Sequence, residues 1–219
     1  MSLKILLKDE IRGFIKTKVM MSLFIGLPLL SLLFRTIQMD TEGIPASTLT
    51  ALLLGTVGGT LASVLLGTNI STEIQNHVYD LFLIRPVKRW HLIISKYIAV
   101  YVLLIGGTIF SMSISVLYDT IQGTYSQVIF LNDLESLIVV LSMMSLASSF
   151  GIIIGTFAKS VAVSAILSIY LGNQLTALLM LPATFIEGLD PSVFTPIIAY
   201  VATAAMLYLA VLRFNKKQF

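Results

Sequence analysis

The residue types that could carry chemistry are concentrated in one short stretch of the chain. Residues 80–96, DLFLIRPVKRWHLIISK, contain four of the 14 Lys and Arg residues and the only Trp, Trp90. Pro86 has no amide proton and disfavours helix at Arg85, so we expect a turn between a short amphipathic helix and a second, basic helix. Such a surface suits the docking of a soluble protein, with Arg89 and Trp90 as anchors. The alternative is an interfacial helix that rests on anionic lipid.

Motifs for catalysis and for metal binding are missing from the sequence. The nearest approach to a phosphate-binding loop, residues 155–160, lacks the Gly that should precede Lys159, and neither HExxH nor GxSxG occurs. The two His residues, His77 and His91, have no ligand set beside them, and the absence of Cys excludes disulfides and thiolate metal sites. We therefore predict that the chain is not an enzyme and holds no cofactor or metal of its own.

A second polar feature is the pair Asn173 and Gln174 inside a long apolar run. Amides within a bilayer must find partners, either in a neighbouring helix or in the polar lining of a substrate path. The apolar windows of the second to sixth predicted spans contain no Asp, Glu, Lys, Arg or His, the residues that proton-coupled transporters need at depth. A pump built this way would receive its energy from a partner.

The elements that must position these residues are transmembrane helices. Hydrophobic residues make up 57% of the chain and charged residues 11%, and the mean hydropathy is +0.95. A soluble fold cannot hide that much apolar surface, whereas a spanning helix needs about 20 apolar residues. We predict an all-α integral membrane protein with six spans at about 19–37, 49–71, 97–118, 136–158, 161–182 and 193–212. We also predict an interfacial helix at 3–18, for which the alternative is a cytoplasmic extension of the first span, a coupling segment at 73–92, and an external broken or re-entrant segment at 183–192.

The distribution of charge gives the orientation. In the six-span arrangement, 13 of the 14 cations lie on one side, with Arg35 left over, and seven of the eleven acids lie on the other. The positive-inside rule then places both termini and the coupling segment in the cytoplasm, with the chain in the cell membrane. The net charge of +3 is explained by this topology and by attraction to anionic lipid, so nucleic-acid binding is not expected.

Small residues recur at every fourth position of two predicted spans. Such stripes let helix backbones approach closely, either within one chain or at a contact between subunits. The stripe of the second span is Ala51, Gly55, Gly59, Ser63, Gly67 and Ser71, and that of the fifth is Ser160, Ser164, Ser168, Gly172 and Thr176. Our candidates for a translocation path or a subunit interface are Gly55, Gly59, Ser63, Gly67, Asn173 and Gln174.

Residues 73–96 combine an acidic residue, aliphatic residues, a Pro-hydrophobic-x-Arg sequence and a Lys, namely Glu73, Leu81, Leu83, Pro86, Val87, Arg89 and Lys96. In this pattern the sequence resembles the membrane subunits of ABC-2 type transporters, except that His77 stands where Gly is usual. The resemblance implies that this connection is the coupling helix, seated in a cleft of a soluble ATPase subunit that binds ATP and Mg²⁺. Its candidate residues are Glu73, His77, Asp80, Leu81, Arg85, Pro86, Val87, Lys88, Arg89 and Trp90.

The resemblance also implies an assembly of two membrane subunits, identical or paralogous, with two ATPase subunits, and short re-entrant helices before the last span. The sequence therefore predicts the permease subunit of an ABC exporter. Two alternatives stay open at this point: an autonomous secondary transporter or channel, and a membrane scaffold without transport activity.

Overall fold

The computed structural model describes residues 3–36, 46–76, 78, 89–121, 127–185 and 190–216. Throughout these residues the regular structure is α-helical, which confirms the predicted all-α class. The helices are α1 (Leu3–Ile15), α2 (Lys18–Thr36), α3 (Ala46–Gln75), α4 (Arg89–Ile121), α5 (Gln127–Phe157), α6 (Val161–Phe185) and α7 (Pro191–Lys216).

Several of these helices have the length and composition of membrane spans. Within the described residues, three helical stretches are long and apolar enough to cross a bilayer: Trp90–Leu117, Leu131–Phe157 and Ser192–Phe214. A fourth candidate is the pair α1 and α2, bent by 69° at the break between them, and Val161–Gly172 is a shorter apolar stretch. The chain is thus a multi-pass membrane protein, while the count of six spans and the side of the termini stay predictions.

The helix ends differ in detail from the predicted span boundaries. Within the predicted coupling segment, the structure describes 73–76, Val78 and 89–92. Helix α3 continues into the segment as far as Gln75, and α4 begins inside it at Arg89. Helix α5 begins at Gln127, so Asp133 lies on the helix and not in a loop before it. Helices can continue beyond the apolar window that hydropathy detects, because their backbone hydrogen bonds are satisfied internally in water as well as in lipid. At the predicted broken segment, α6 runs to Phe185, and 186–189 lie outside the described residues.

Helix α3 is central to the bundle and packs against α5 and α6 through small residues. A methyl group on Gly155 of α5 would lie 2.7 Å from the carbonyl oxygen of Gly67, and one on Gly151 would collide with the backbone of Ser63. On the α6 side, a methyl group on Gly172 would lie 3.3 Å from Cβ of Ser63. Backbones this close gain dispersion and Cα–H···O contacts, which replace the hydrophobic effect between helices in lipid.

The distribution of side chains is that of a protein whose solvent is apolar. Many buried positions carry hydroxyls, among them Ser63, Ser95, Ser142, Ser145, Ser148 and Ser164. The exposed surface instead carries large apolar side chains, including Ile109, Phe110, Leu117, Ile138, Ile166 and Val201. Lipid tails can cover such a surface at no hydrophobic cost, whereas water cannot.

Candidate functional site

The ammonium group of Lys96, in the second turn of α4, is buried and fully paired. Its side chain is 3% exposed, and Nζ donates to Glu73 Oε1 at 2.7 Å, to Glu10 Oε1 at 2.8 Å and to Asn69 Oδ1 at 3.0 Å. Because an ammonium has three donor hydrogens, these three acceptors saturate it. We call Lys96, Glu10, Asn69 and Glu73 the Lys96 cluster.

Helix α1 brings Glu10 to the cluster through its apolar face. Leu6 and Phe14 lie one turn before and after Glu10 and are both buried, and the Phe14 ring centroid is 5.8 Å from Lys96 Nζ. Thr17 lies between the two helices, and its Oγ1 donates to the Phe14 carbonyl at 2.7 Å and accepts from the Met20 amide at 3.3 Å. Thr17 is therefore an N-cap of α2 that stabilises the bend between α1 and α2.

Helices α3 and α4 supply the other members of the cluster. Asn69 and Glu73 are four residues apart and so share one face of α3 near its C-terminal end. On α4, Lys96 follows the buried residues Leu92 and Ile93, which hold its first turns against the neighbouring helices. The cluster therefore joins three helices at the point where α3 ends and α4 begins.

The electrostatics of the cluster are unbalanced, because two carboxylates share one ammonium. Burial raises the pKa of Glu10 above its ordinary value of 4.5, although the charge and hydrogen bond of Lys96 act in the opposite direction and Glu73 adds repulsion. The side chains of Glu10 and Glu73 are 21% and 22% exposed, so neither has full access to water. Burial thus pushes Glu10 towards protonation.

The surroundings of the cluster extend along the same end of the bundle. Gln75 Nε2 donates to the carbonyl oxygen of Lys159 at 3.0 Å and so ties the end of α3 to the connection between α5 and α6. Trp90 is 39% exposed, and its ring centroid is 4.0 Å from that of His91, whose Nδ1 is buried and makes no hydrogen bond to any described residue. At the end of α7, the guanidinium carbon of Arg213 lies 4.9 Å from the Phe157 ring centroid.

The structure describes part of the predicted coupling segment. Glu73 lies in the Lys96 cluster, and Trp90 is exposed on the first turn of α4, which begins at Arg89. The other predicted members lie outside the described residues: His77, Asp80, Leu81, Arg85, Pro86, Val87 and Lys88. Their role in docking stays a prediction.

The predicted path or interface residues lie in two different environments. Gly55, Gly59, Ser63 and Gly67 are buried in the chain's own bundle on α3, as described for Ser63 and Gly67 above. Gln174 is instead exposed on α6. Asn173 lies on the same helix, but its side chain is outside the described set. Their assignment to a path or an interface is still a prediction.

Sequence reasoning missed Glu10 and Asn69 as functional candidates. A signal for Glu10 was present, because it falls within the apolar stripe of α1, one turn from Leu6 and from Phe14. A carboxylate at such a position needs a buried partner, and the pattern does not say which cation supplies it. For Asn69, one turn before Glu73, the sequence gives no comparable signal.

Comparison with known protein families identifies a family for this chain. A family model described as ABC-2 family transporter protein matches residues 5–134 of the 219 residues, a range that includes every member of the Lys96 cluster. No curated protein matches the chain.

Proposed function

We propose, from the premise that this chain belongs to the ABC-2 family of transporter proteins, that it is the permease subunit of an ABC exporter. Members of this family are membrane components that are not themselves catalytic, and membership implies an ATPase partner. The finer proposal is that a separate soluble subunit binds ATP and Mg²⁺ and docks on residues 73–92. Both termini and this segment then lie in the cytoplasm, as the distribution of cations predicts.

One observation carries this proposal beyond the family match: the Lys96 cluster braces both ends of the coupling segment. Glu73 is the first residue of the segment, and Lys96 lies four residues beyond its last residue. Lys96 Nζ and Glu73 Oε1 are 2.7 Å apart. A displacement imposed on the segment by a partner must therefore move α3 and α4 together. Since α3 packs closely on α5 and α6, the movement passes to the bundle as a rigid-body rotation.

A second copy of the chain, or a paralogue, completes the proposed transporter. One stripe of α6, formed by Ser164, Ser168 and Gly172, is buried against the chain's own α3, but Gln174 is exposed. An amide exposed to hydrocarbon is costly, and this favours a partner helix or a polar path beside this face of α6.

The chain's lack of Cys allows a direct test of the second copy. We expect Gln174→Cys to give a dimer on treatment of membranes with a short bifunctional thiol reagent. The matched control is Ile109→Cys, an exposed position on α4, which should stay monomeric. Cross-linking at both positions or at Ile109 alone would contradict the assignment of α6 to the interface.

The docking proposal is tested by co-purification with the ATPase subunit. Arg89→Glu combined with Trp90→Ala should abolish co-purification, because the charge of one anchor is reversed and the aromatic ring beside it is removed. Membrane insertion should be unchanged. The control is Lys159→Glu, a charge reversal at an exposed residue outside the segment. Undiminished co-purification of the double variant would contradict docking on 73–92. Transport by the purified chain alone, driven by an ion gradient, would contradict the need for an ATPase.

A further inference from the structure

The face of α1 opposite the Lys96 cluster is a row of exposed cations. Lys4, Lys8 and Arg12 on α1, and Lys16 one residue beyond its end at Ile15, follow one another at every fourth position, and all four are exposed. None of them forms a salt bridge with another described residue. The exposed apolar residues Ile5 and Ile15 flank the row. We call this row, with Ile5 and Ile15, the cationic face of α1.

The opposite face of the same helix packs against the protein. Leu6 and Phe14 are buried against the bundle, and Glu10 lies 2.8 Å from Lys96. Helix α1 is thirteen residues long and is bent by 69° from α2, so it does not continue the direction of that apolar helix. A short helix with cations and flanking apolar residues on its free side has the composition of a helix that lies in the headgroup region of a bilayer.

We propose that the cationic face of α1 binds anionic phospholipid headgroups, and that the Lys96 cluster transmits this binding to the coupling segment. Bound headgroups hold α1 at the membrane surface, where Glu10 reaches Lys96 and braces the end of α3. Anionic lipid therefore increases the stimulation of the partner ATPase by this subunit. The transmission step rests on the proposed function, whereas the lipid-binding step does not.

The lipid-binding step has a measurable size. Each Lys or Arg near an anionic surface contributes about 1 kcal/mol, which is about fivefold in lipid affinity. Reversing one charge of the row should thus weaken the response to anionic lipid at least about fivefold. Because the row is exposed, the effect should fall as salt is raised.

The test uses the full chain in nanodiscs of phosphatidylcholine, with increasing fractions of phosphatidylglycerol. A nitroxide label at Ile15→Cys is unique in this Cys-free chain and reports immobilisation of the cationic face. We expect the label to respond to phosphatidylglycerol, Lys8→Glu to shift the midpoint at least about fivefold, and Lys159→Glu to leave it unchanged. A label that does not respond would overturn the lipid assignment. Loss of ATPase co-purification by Lys8→Glu would overturn it too, because the cationic face would then be a protein-docking surface.

The transmission step is read from the ATPase activity of the complex in the same nanodiscs. Glu10→Gln should keep the lipid response of the label but lose the lipid stimulation of ATPase activity. Its control, Asp9→Asn, removes the same charge from the exposed neighbouring residue and should keep the lipid stimulation of ATPase activity, with the lipid response of the label shifted to lower fractions of phosphatidylglycerol. Equal stimulation in Glu10→Gln and Asp9→Asn would exclude the Lys96 cluster as the route. If no ATPase co-purifies with the unaltered chain, the proposed function fails, while the label still decides whether the face binds lipid.

Discussion

Replacing Lys96 by Met should destabilise the protein more than any other single change in the Lys96 cluster. The substitution keeps the apolar stem but removes a donor that Glu73, Glu10 and Asn69 share at 2.7, 2.8 and 3.0 Å. Two half-buried carboxylates then face each other without a cation. Removing one partner of a buried ion pair costs about 3–5 kcal/mol.

The expected magnitude lies at the lower end of that range. Both carboxylates are about one-fifth exposed, and Glu10 can take up a proton because burial already raises its pKa. We therefore expect Lys96→Met to lower the free energy of unfolding by about 3 kcal/mol at neutral pH. For a chain of this length that corresponds to a fall of about 10 °C in the unfolding midpoint. Part of the loss should be recovered at acid pH, where Glu10 is protonated.

The assay is unfolding of the purified chain in mixed detergent micelles, followed by circular dichroism and by the fluorescence of Trp90. Trp90 is the only Trp and lies six residues before Lys96, so it reports on the end of the bundle that holds the cluster. The control is Lys159→Met, which removes an exposed cation and should change the free energy by less than about 0.5 kcal/mol.

A double-mutant cycle isolates the pair of Lys96 with Glu73. Glu73→Gln and Lys96→Met together should be less destabilising than the sum of the single changes, with a coupling of about 2 kcal/mol. Additive effects, or a loss in Lys96→Met no larger than in Lys159→Met, would refute the view that this ion pair holds α3 to α4.

Three further predictions concern other contacts. Because the pKa of Glu10 is raised, the folded state favours its protonated form. The free energy of unfolding should therefore fall as the pH rises from 4.5 through the raised pKa, and Glu10→Gln should flatten this pH dependence in the same unfolding assay. Gly155→Ala should lower the free energy of unfolding by at least about 2 kcal/mol, since its methyl group would lie 2.7 Å from the Gly67 carbonyl oxygen. Gly26→Ala is the control, because open space surrounds that position and the change should be neutral or stabilising. Tyr97→Phe should lower the free energy of unfolding by about 0.6 kcal/mol, because it removes the 2.7 Å hydrogen bond to Ser145. A loss above about 2 kcal/mol would contradict the view that this hydrogen bond acts as an isolated pair.

Some helix ends could be predicted closely where composition changes sharply. A helix was expected at 3–18 and another from about 19, and the structure has α1 at Leu3–Ile15 and α2 from Lys18, while their roles as interfacial helix and first span stay predictions. Prediction was poorer for α5, because residues 127–135 combine helix-compatible apolar residues with the charges of Asp133 and Glu135. Hydropathy detects where charge stops, and a helix does not have to begin there.

Part of the candidate site was also accessible from the sequence. Glu73 and Lys96 stood out because their spacing around the basic connection resembles a family pattern. Glu10 could not be assigned to Lys96, because the two residues belong to helices far apart in the chain and many cations were available as partners. The small-residue stripe of α3 was visible, but its partners Gly151 and Gly155 on α5 depend on how two helices are rotated against each other.

The sequence by itself determined the solvent of this protein and the class of its fold, because long apolar windows and sparse charges leave a bilayer as the environment in which the chain can bury its surface. Only the tertiary structure decided which carboxylates meet Lys96 and which side of α6 leaves Gln174 exposed. The physical reason is that lipid and a neighbouring helix are both apolar. Hydrophobicity therefore does not distinguish the two faces of a spanning helix, and close packing and hydrogen bonding select between them.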